Sequence, residues 1–274
     1  MPLIITDSTC DLSLAQAEAL GVEMLSLRVN FGSEEFSDKR TITNEEFYAK
    51  MAASTELPTT TLVSVGEFSD AFARHLHESI VVVLLSHKLS GTYQSAVVAK
   101  ELSGRDDIYL VDSLNVTLGL GMLVTYAAAL RDAGKTAEQI ADELLQKRAS
   151  LRIYAVIDTL KYLVKGGRLS AAQGAVGSVL GVKPIIEIAD GEVHSVSKAR
   201  GMKAGVREIA RMTEQGAHID RTMPHCLAHT GSLETVAQLR AELDLNDAES
   251  YLIGSVVGAH AGPGAAAVVY FEKQ

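Results

Sequence analysis

The chain has no tryptophan, and aromatic residues make up only 5% of it. A core short of aromatic mass is filled by Val, Leu, Ile and Ala, within a hydrophobic content of 47%. Its two cysteines, Cys10 and Cys226, form no CxxC pair. They offer no disulfide framework and place the chain in a reducing cytoplasm. Basic residues are outnumbered, 25 against 34 acidic ones, for a net charge of −9. No basic run interleaved with aromatics occurs, so nucleic acid is set aside as a partner. The opening Met1-Pro-Leu-Ile-Ile-Thr-Asp7 lacks the basic n-region and long apolar h-region of a secretory leader. The uncharged run 114–130 contains Asn115, Thr117, Gly119, Gly121 and Thr125. It is marginal for a membrane span and better suited to a buried helix.

Common chemical signatures are missing as well. Gly134-Lys135-Thr136 lacks the distal glycine of a phosphate-binding loop, because Ala129 stands there, and a helix precedes it. Gly119-Leu-Gly121 has Val124 where a dinucleotide fingerprint needs its third glycine. No G-x-S-x-G elbow is present. His225-Cys-Leu-Ala-His229 has metal-like spacing only on a helix. Pro224 and Thr230-Gly231-Ser232 predict a strand instead, with the histidines roughly 13 Å apart. His75-Leu-His77 falls at a helix end and is expected to be solvated. No metal site is predicted.

What is present is an alternation of strands and helices in the first half. Strands are expected at 3–6, 80–85 and 108–111, with 22–31 extended. Helices are expected at 13–20, 43–53, 64–78, 92–102, 116–131 and 136–148. Thr43-Asn-Glu-Glu46, Ser64-Val-Gly-Glu67 and Thr136-Ala-Glu-Gln139 are capping boxes. This order predicts a parallel-sheet α/β/α unit over 1–155. The second half, 156–274, has another rhythm and predicts a mixed-sheet α/β unit. Its strand at 182–188 turns through Asp190-Gly191 into a strand at 193–197, a hairpin signal. Further strands are expected at 152–157, 224–228, 251–257 and 267–272, with helices at 171–180, 201–213 and 233–243.

Several turns hold candidate binding groups. Ser86-His-Lys-Leu-Ser90-Gly91-Thr92 follows a buried strand and opens a helix. Unpaired N–H groups and the helix dipole make such a turn fit for a phosphate or carboxylate. Ser90 as a simple helix cap explains the same residues. Thr59-Thr60-Thr61 places three hydroxyls in a loop before the Ser64 cap. Lys165-Gly166-Gly167-Arg168 pairs close backbone approach with a guanidinium fork. Ser197-Lys198-Ala199-Arg200-Gly201 is another basic turn. Gly258-Ala-His260-Ala-Gly262-Pro263-Gly264 sets a histidine among glycines between two strands.

Together these segments resemble the DegV family of lipid-binding proteins, which share the EDD fold with dihydroxyacetone kinase subunits. The marks are Ile5-Thr6-Asp7-Ser8-Thr9, Leu89-Ser90-Gly91-Thr92-Tyr93, Val111-Asp112-Ser113, Tyr162-Leu-Val-Lys165-Gly166-Gly167-Arg168 and His260-Ala-Gly262-Pro263-Gly264, spread over the whole chain. The resemblance implies two α/β domains with a long-chain fatty acid between them. It implies that Thr60 and Ser90 hold the carboxylate and that His260 lies near the same head group. Thr61 and Gly91 stand beside these positions. Arg168 and Arg200 match family arginines near the ligand mouth, serving the phosphorylated product or a kinase. The chain departs from the family's Thr-Ser-Gln-Pro-Ser, reading Thr60-Thr61-Leu62-Val63-Ser64, and has His87 where serine is frequent.

The expectation is a cytoplasmic fatty acid carrier with no catalytic residue and no cofactor, presenting its ligand to a separate ATP-dependent fatty acid kinase. The aliphatic stretches 116–130 and 176–182 are its expected tunnel walls. The alternative is a substrate-binding subunit for a small carbonyl compound, as in dihydroxyacetone kinases, using His260. A hydrolase with Ser90 as nucleophile and His260 as base is a third arrangement, for which no orienting acid is apparent.

Overall fold

The computed structural model describes residues 1–170, 181–215 and 219–273. Its first half is built on a four-stranded parallel sheet of β1 (Leu3–Asp7), β2 (Val22–Leu25), β6 (Ile80–Leu84) and β7 (Ile108–Asp112), in the order β2-β1-β6-β7. Both faces of this sheet are buried, which is why β6 is an unbroken apolar run. Ile4, Val81 and Val83 pack beneath α5 (Thr117–Asp132) and α6 (Ala137–Lys147). Ile5, Ile80, Val82 and Leu84 pack against α3 (Val65–Arg74) and α4 (Thr92–Ser103). The capping boxes at Thr43, Ser64 and Thr136 form as expected, and Ser13 with Gln16 makes another ahead of α1 (Leu14–Ala19).

The extended segment 22–31 divides between two sheets. After β2, the chain enters β3 (Arg28–Phe31), which pairs with β4 (Glu34–Ser37) and β5 (Thr59–Thr61) in a small antiparallel sheet. The threonine run is therefore a strand, with Thr60 opposite Val29, not the loop its hydroxyls suggested. Between them lies α2 (Asn44–Ala53). The helix predicted to reach 78 ends at Arg74, where His75 bridges Glu23 and Glu78 instead of standing free in solvent.

The second half forms a six-stranded mixed sheet. Its strands are β8 (Leu151–Val156), β9 (Val182–Ala189), β10 (Glu192–Arg200), β11 (His225–His229), β12 (Glu249–Leu252) and β13 (Ala266–Phe271), in the order β10-β9-β8-β13-β11-β12. β8 pairs with β9 and β13, so residue 155 lies inside this sheet. The β9–β10 hairpin turns through Asp190 and Gly191, both at positive φ, as that dipeptide predicts. One face carries α8 (Met202–Gln215) and α9 (Leu233–Glu242), packed on Tyr154, Val156, Ile185 and Val268. The other face turns toward the parallel sheet. The short α7 (Lys161–Lys165) follows β8, and the helix expected at 171–180 lies outside the described residues.

One element changes type. The sequence 251–257 has strand-like β-branched residues, yet the strand stops at Leu252 and α10 (Ser255–Ala261) follows. Tertiary contacts outweigh local propensity here. Gly254 N donates to Asp11 Oδ1 at 3.0 Å, and Ser255 Oγ donates to Asp38 Oδ1 at 2.6 Å. Two buried acids thus meet the positive end of the helix. His260 is on this helix, not in a loop between strands.

Candidate functional site

A cavity of about 190 Å³, partly open to solvent, lies where the carboxyl ends of the parallel strands meet the inner face of the mixed sheet. Ligands of open α/β sheets bind at this end of the strands. Thr9 follows β1, Leu27 follows β2, Leu85 and Leu89 follow β6, and Val116 follows β7; all line it. The opposite wall is aliphatic, made by Ile153, Ala155, Ile186, Ile188 and Ala267. Strand alternation puts these side chains on one face. Of the tunnel walls expected from 116–130, only Val116 and Thr117 border the cavity, because the rest of α5 packs into the core. In the other stretch, 176–180 fall outside the described residues, and Val182 is not among the lining residues.

Polar groups gather at one end, where Thr60, Ser90, Gly91, Arg168 and His260 line the cavity together. Thr60 comes from β5, Ser90 and Gly91 from the turn into α4, and His260 from α10. Thr60 Oγ1 is 2.9 Å from His260 Nε2. Ser90 Oγ is 3.0 Å from Thr92 Oγ1 and accepts from Thr92 N at 3.3 Å. Gly91 is the N-cap position of α4 and has no side chain, so Ser90, one residue earlier, accepts from the first N–H of the helix. The helix dipole therefore points its positive end at this part of the cavity. Arg168 is fixed by donating from Nε to Leu89 O at 2.9 Å and from Nη1 to Gly166 O at 2.6 Å. This joins the Gly166-Gly167 turn to the Ser90 turn.

Burial, and secondarily the Arg168 charge, push the His260 pKa down to about 4, so the ring is neutral at pH 7. Among the described residues its buried Nδ1 has no hydrogen-bond partner. A buried bare nitrogen is better tolerated than a buried orphan N–H, so the proton belongs on Nε2, donating to Thr60. The Thr60 hydroxyl proton is then available to a ligand. His260 pairs with Thr60 and has no bond to Ser90, so the serine–histidine couple of a hydrolase is not formed.

The other threonine hydroxyls on the cavity wall are engaged by carboxylates. Thr9 Oγ1 donates to Asp7 at 2.5 Å, and Thr117 Oγ1 donates to Asp11 at 2.6 Å. Their protons are committed to buried carboxylates, which leaves Thr60, Ser90 and Arg168 as the donor end. The sequence reading includes Thr117 only as part of the 116–130 wall and Thr9 only as part of a family mark, and assigns neither a place beside the donor groups. Thr61 is exposed and accepts from Asn30 Nδ2 at 3.0 Å, outside the cavity lining. Arg200 ends the edge strand β10, exposed, and does not line the cavity. Leu62 lines the mouth, and Val63 is fully buried. His87 Nδ1 pairs with Asp112 Oδ2 at 2.5 Å, and His87 is not among the cavity-lining residues.

Among the described residues no group of three or more His, Cys, Asp or Glu is placed to hold a metal ion, and no helix is long and apolar enough to cross a membrane.

An apolar cavity with polar groups clustered on its wall is suited to holding an amphipathic molecule. The chain belongs to the DegV family, whose model, described as "Uncharacterised protein, DegV family", matches residues 2–273. A DegV domain-containing protein of Clostridium acetobutylicum is 35% identical over 273 residues, covering 98% of each chain. Among solved structures, one described as "Fatty Acid Binding of a DegV family Protein from Thermus thermophilus" is 30% identical, with a TM-score of 0.88 over 99% of each chain. DegV of Bacillus subtilis, described as a fatty acid binding protein, is 28% identical, with a TM-score of 0.84 over 99% of each chain.

Proposed function

We propose that this protein binds a long-chain fatty acid, its carboxylate at Thr60 and Ser90 and its tail against the mixed sheet. The observation that carries this is the cavity itself: a largely aliphatic chamber with Thr60, Ser90, Arg168 and His260 on its wall, Thr60 bonded to His260 and Arg168 tied to the Ser90 turn. A sixteen-carbon tail buries roughly fourteen methylenes, about 11 kcal/mol gross at ~0.8 each, before association costs. Such a tail drives binding, and the donor cluster sets its direction because a buried carboxylate needs partners. The fatty acid-binding relatives in Thermus and Bacillus support the same ligand.

In this proposal the chain forms two domains, one on each large sheet, with the ligand between them. It acts in the cytoplasm as a carrier, and a separate ATP-dependent kinase takes the bound carboxylate as substrate. Arg168 is the head-group arginine, and Arg200 and Thr61 are partner-facing. The small-carbonyl alternative needs a histidine free to attack. Here the ring nitrogen facing the donor cluster is bonded to Thr60, and the chamber beyond it is apolar. The test is extraction of lipid from purified protein for mass spectrometry, then titration of the stripped protein with palmitate and oleate. Recovery of acyl chains and saturable uptake are expected; neither occurring defeats the proposal.

A further inference from the structure

The wall strands carry a length scale for the tail. The donor end lies where β8 gives way to α7 and the Gly166-Gly167-Arg168 turn. From there the cavity residues run back along the chain as Ile157, just past β8, then Ala155 and Ile153 within it. At about 3.3 Å per residue, Ile153 is roughly 13 Å deeper than Ile157. The middle of this wall is kept thin by small side chains, since Ala155 pairs with Ala267 on β13. One step deeper the wall thickens. Ile153 pairs with Ile188, and Ile188 pairs with Val193, so three branched side chains cross the cavity floor in one row. Ile153 is backed by α5, close enough that a Cβ added to Gly119 would be 2.9 Å from Ile153 Cδ1.

We propose that the Ile153–Ile188–Val193 row is a stop that fixes the longest acyl chain the protein takes, and that Ala155 and Ala267 keep the passage to it open. This rests on the fatty acid reading above. Ile153→Ala removes three carbons from the stop, space for about two more methylenes once the site relaxes. Their burial corresponds to roughly tenfold in relative affinity for the longer chain. Ala155→Leu does the opposite by filling the passage above the stop.

The experiment loads stripped wild type and variants from an equimolar mixture of lauric, myristic, palmitic, stearic and arachidic acids, then measures bound acids by mass spectrometry. Ile153→Ala is expected to raise the arachidic-to-palmitic ratio about tenfold over wild type. Ile188→Ala opens the same row from the next strand and must move the profile the same way, which guards against a folding defect in either variant. Ala155→Leu is expected to lose stearic and arachidic acids while keeping lauric acid. Wild type that takes up no acid overturns the fatty acid reading, and the stop falls with it. Wild type that loads while the variants keep its length profile, or lose all lengths evenly, overturns the stop.

Discussion

Thr60 and His260, 200 residues apart in sequence, meet at 2.9 Å between Oγ1 and Nε2. The bond ties the small antiparallel sheet to α10 and orients the threonine hydroxyl. Thr60→Val keeps the shape and removes the hydroxyl. It should weaken fatty acid binding by about 1.5–3 kcal/mol, roughly ten- to a hundredfold, because a charged acceptor loses a donor. Displacement of a fluorescent fatty acid analogue measures this. A methyl ester of the same acid, which has no carboxylate, should bind wild type and variant with much closer affinities.

The glycines of the site differ in how much they can change. At Gly166 an added Cβ would overlap His260 Nδ1, and at Gly91 it would meet only the tip of Leu62 at 3.0 Å. Gly166→Ala should push the imidazole off Thr60 and reduce both thermal stability and affinity. Gly91→Ala should be mild, because Leu62 is a flexible side chain at the cavity mouth. Melting curves and ligand titrations on the two variants check the contrast, and a Gly166→Ala protein indistinguishable from wild type contradicts the packing.

Much of this frame was legible before any coordinates. The capping boxes at Thr43, Ser64 and Thr136, the apolar run of β6 and the Asp190-Gly191 turn are local signals, and each formed where its chemistry required. What was not legible depended on contacts distant in sequence. Val256 and Val257 favour a strand locally, yet Asp11 and Asp38 hold Gly254 and Ser255 at the start of a helix. Thr60, Ser90 and His260 stood out as candidates in the sequence, their proposed head-group role came from resemblance, and all three line one cavity. The apolar wall did not come from the obvious apolar helix α5. It came from alternate residues of β8 and β9, whose inward face only sheet pairing defines.

Stability should depend on pH through two buried groups of opposite sign. Burial holds His260 neutral down to about 4, against 6.5 in the unfolded chain. The unfolded state therefore binds more protons between these values, and His260 costs stability as pH falls through that window. Burial also raises Asp7 from 3.8 to about 6, so the folded state binds more protons there and Asp7 favours folding as pH falls through its window. The two effects oppose between about pH 4 and 6. His260→Gln should remove the first and leave the second. Urea midpoints across this range should then rise on acidification in the variant relative to wild type. Parallel profiles would show that His260 does not titrate as its burial dictates.

The last dependence concerns the charge cluster that seats α10. Asp11 is buried, accepts from Thr117 Oγ1 and Gly254 N, and lies 3.4 Å from Lys39 Nζ. Asp38 is also buried, and its Oδ2 has no partner among the described residues. Lys39 is thus the cation that offsets two carboxylates in a place closed to water. Lys39→Met keeps the stem and removes the charge, leaving both acids uncompensated. The expected loss is about 3–5 kcal/mol of stability, the usual cost of breaking a buried pair from one side. Asp11→Asn should cost less, since the amide oxygen still accepts from Gly254 N while one of the two negative charges is gone. Equilibrium urea unfolding gives both values. If Lys39→Met proves no more harmful than Asp11→Asn, the cluster is not organised around the lysine, and the seating of α10 rests on its hydrogen bonds alone.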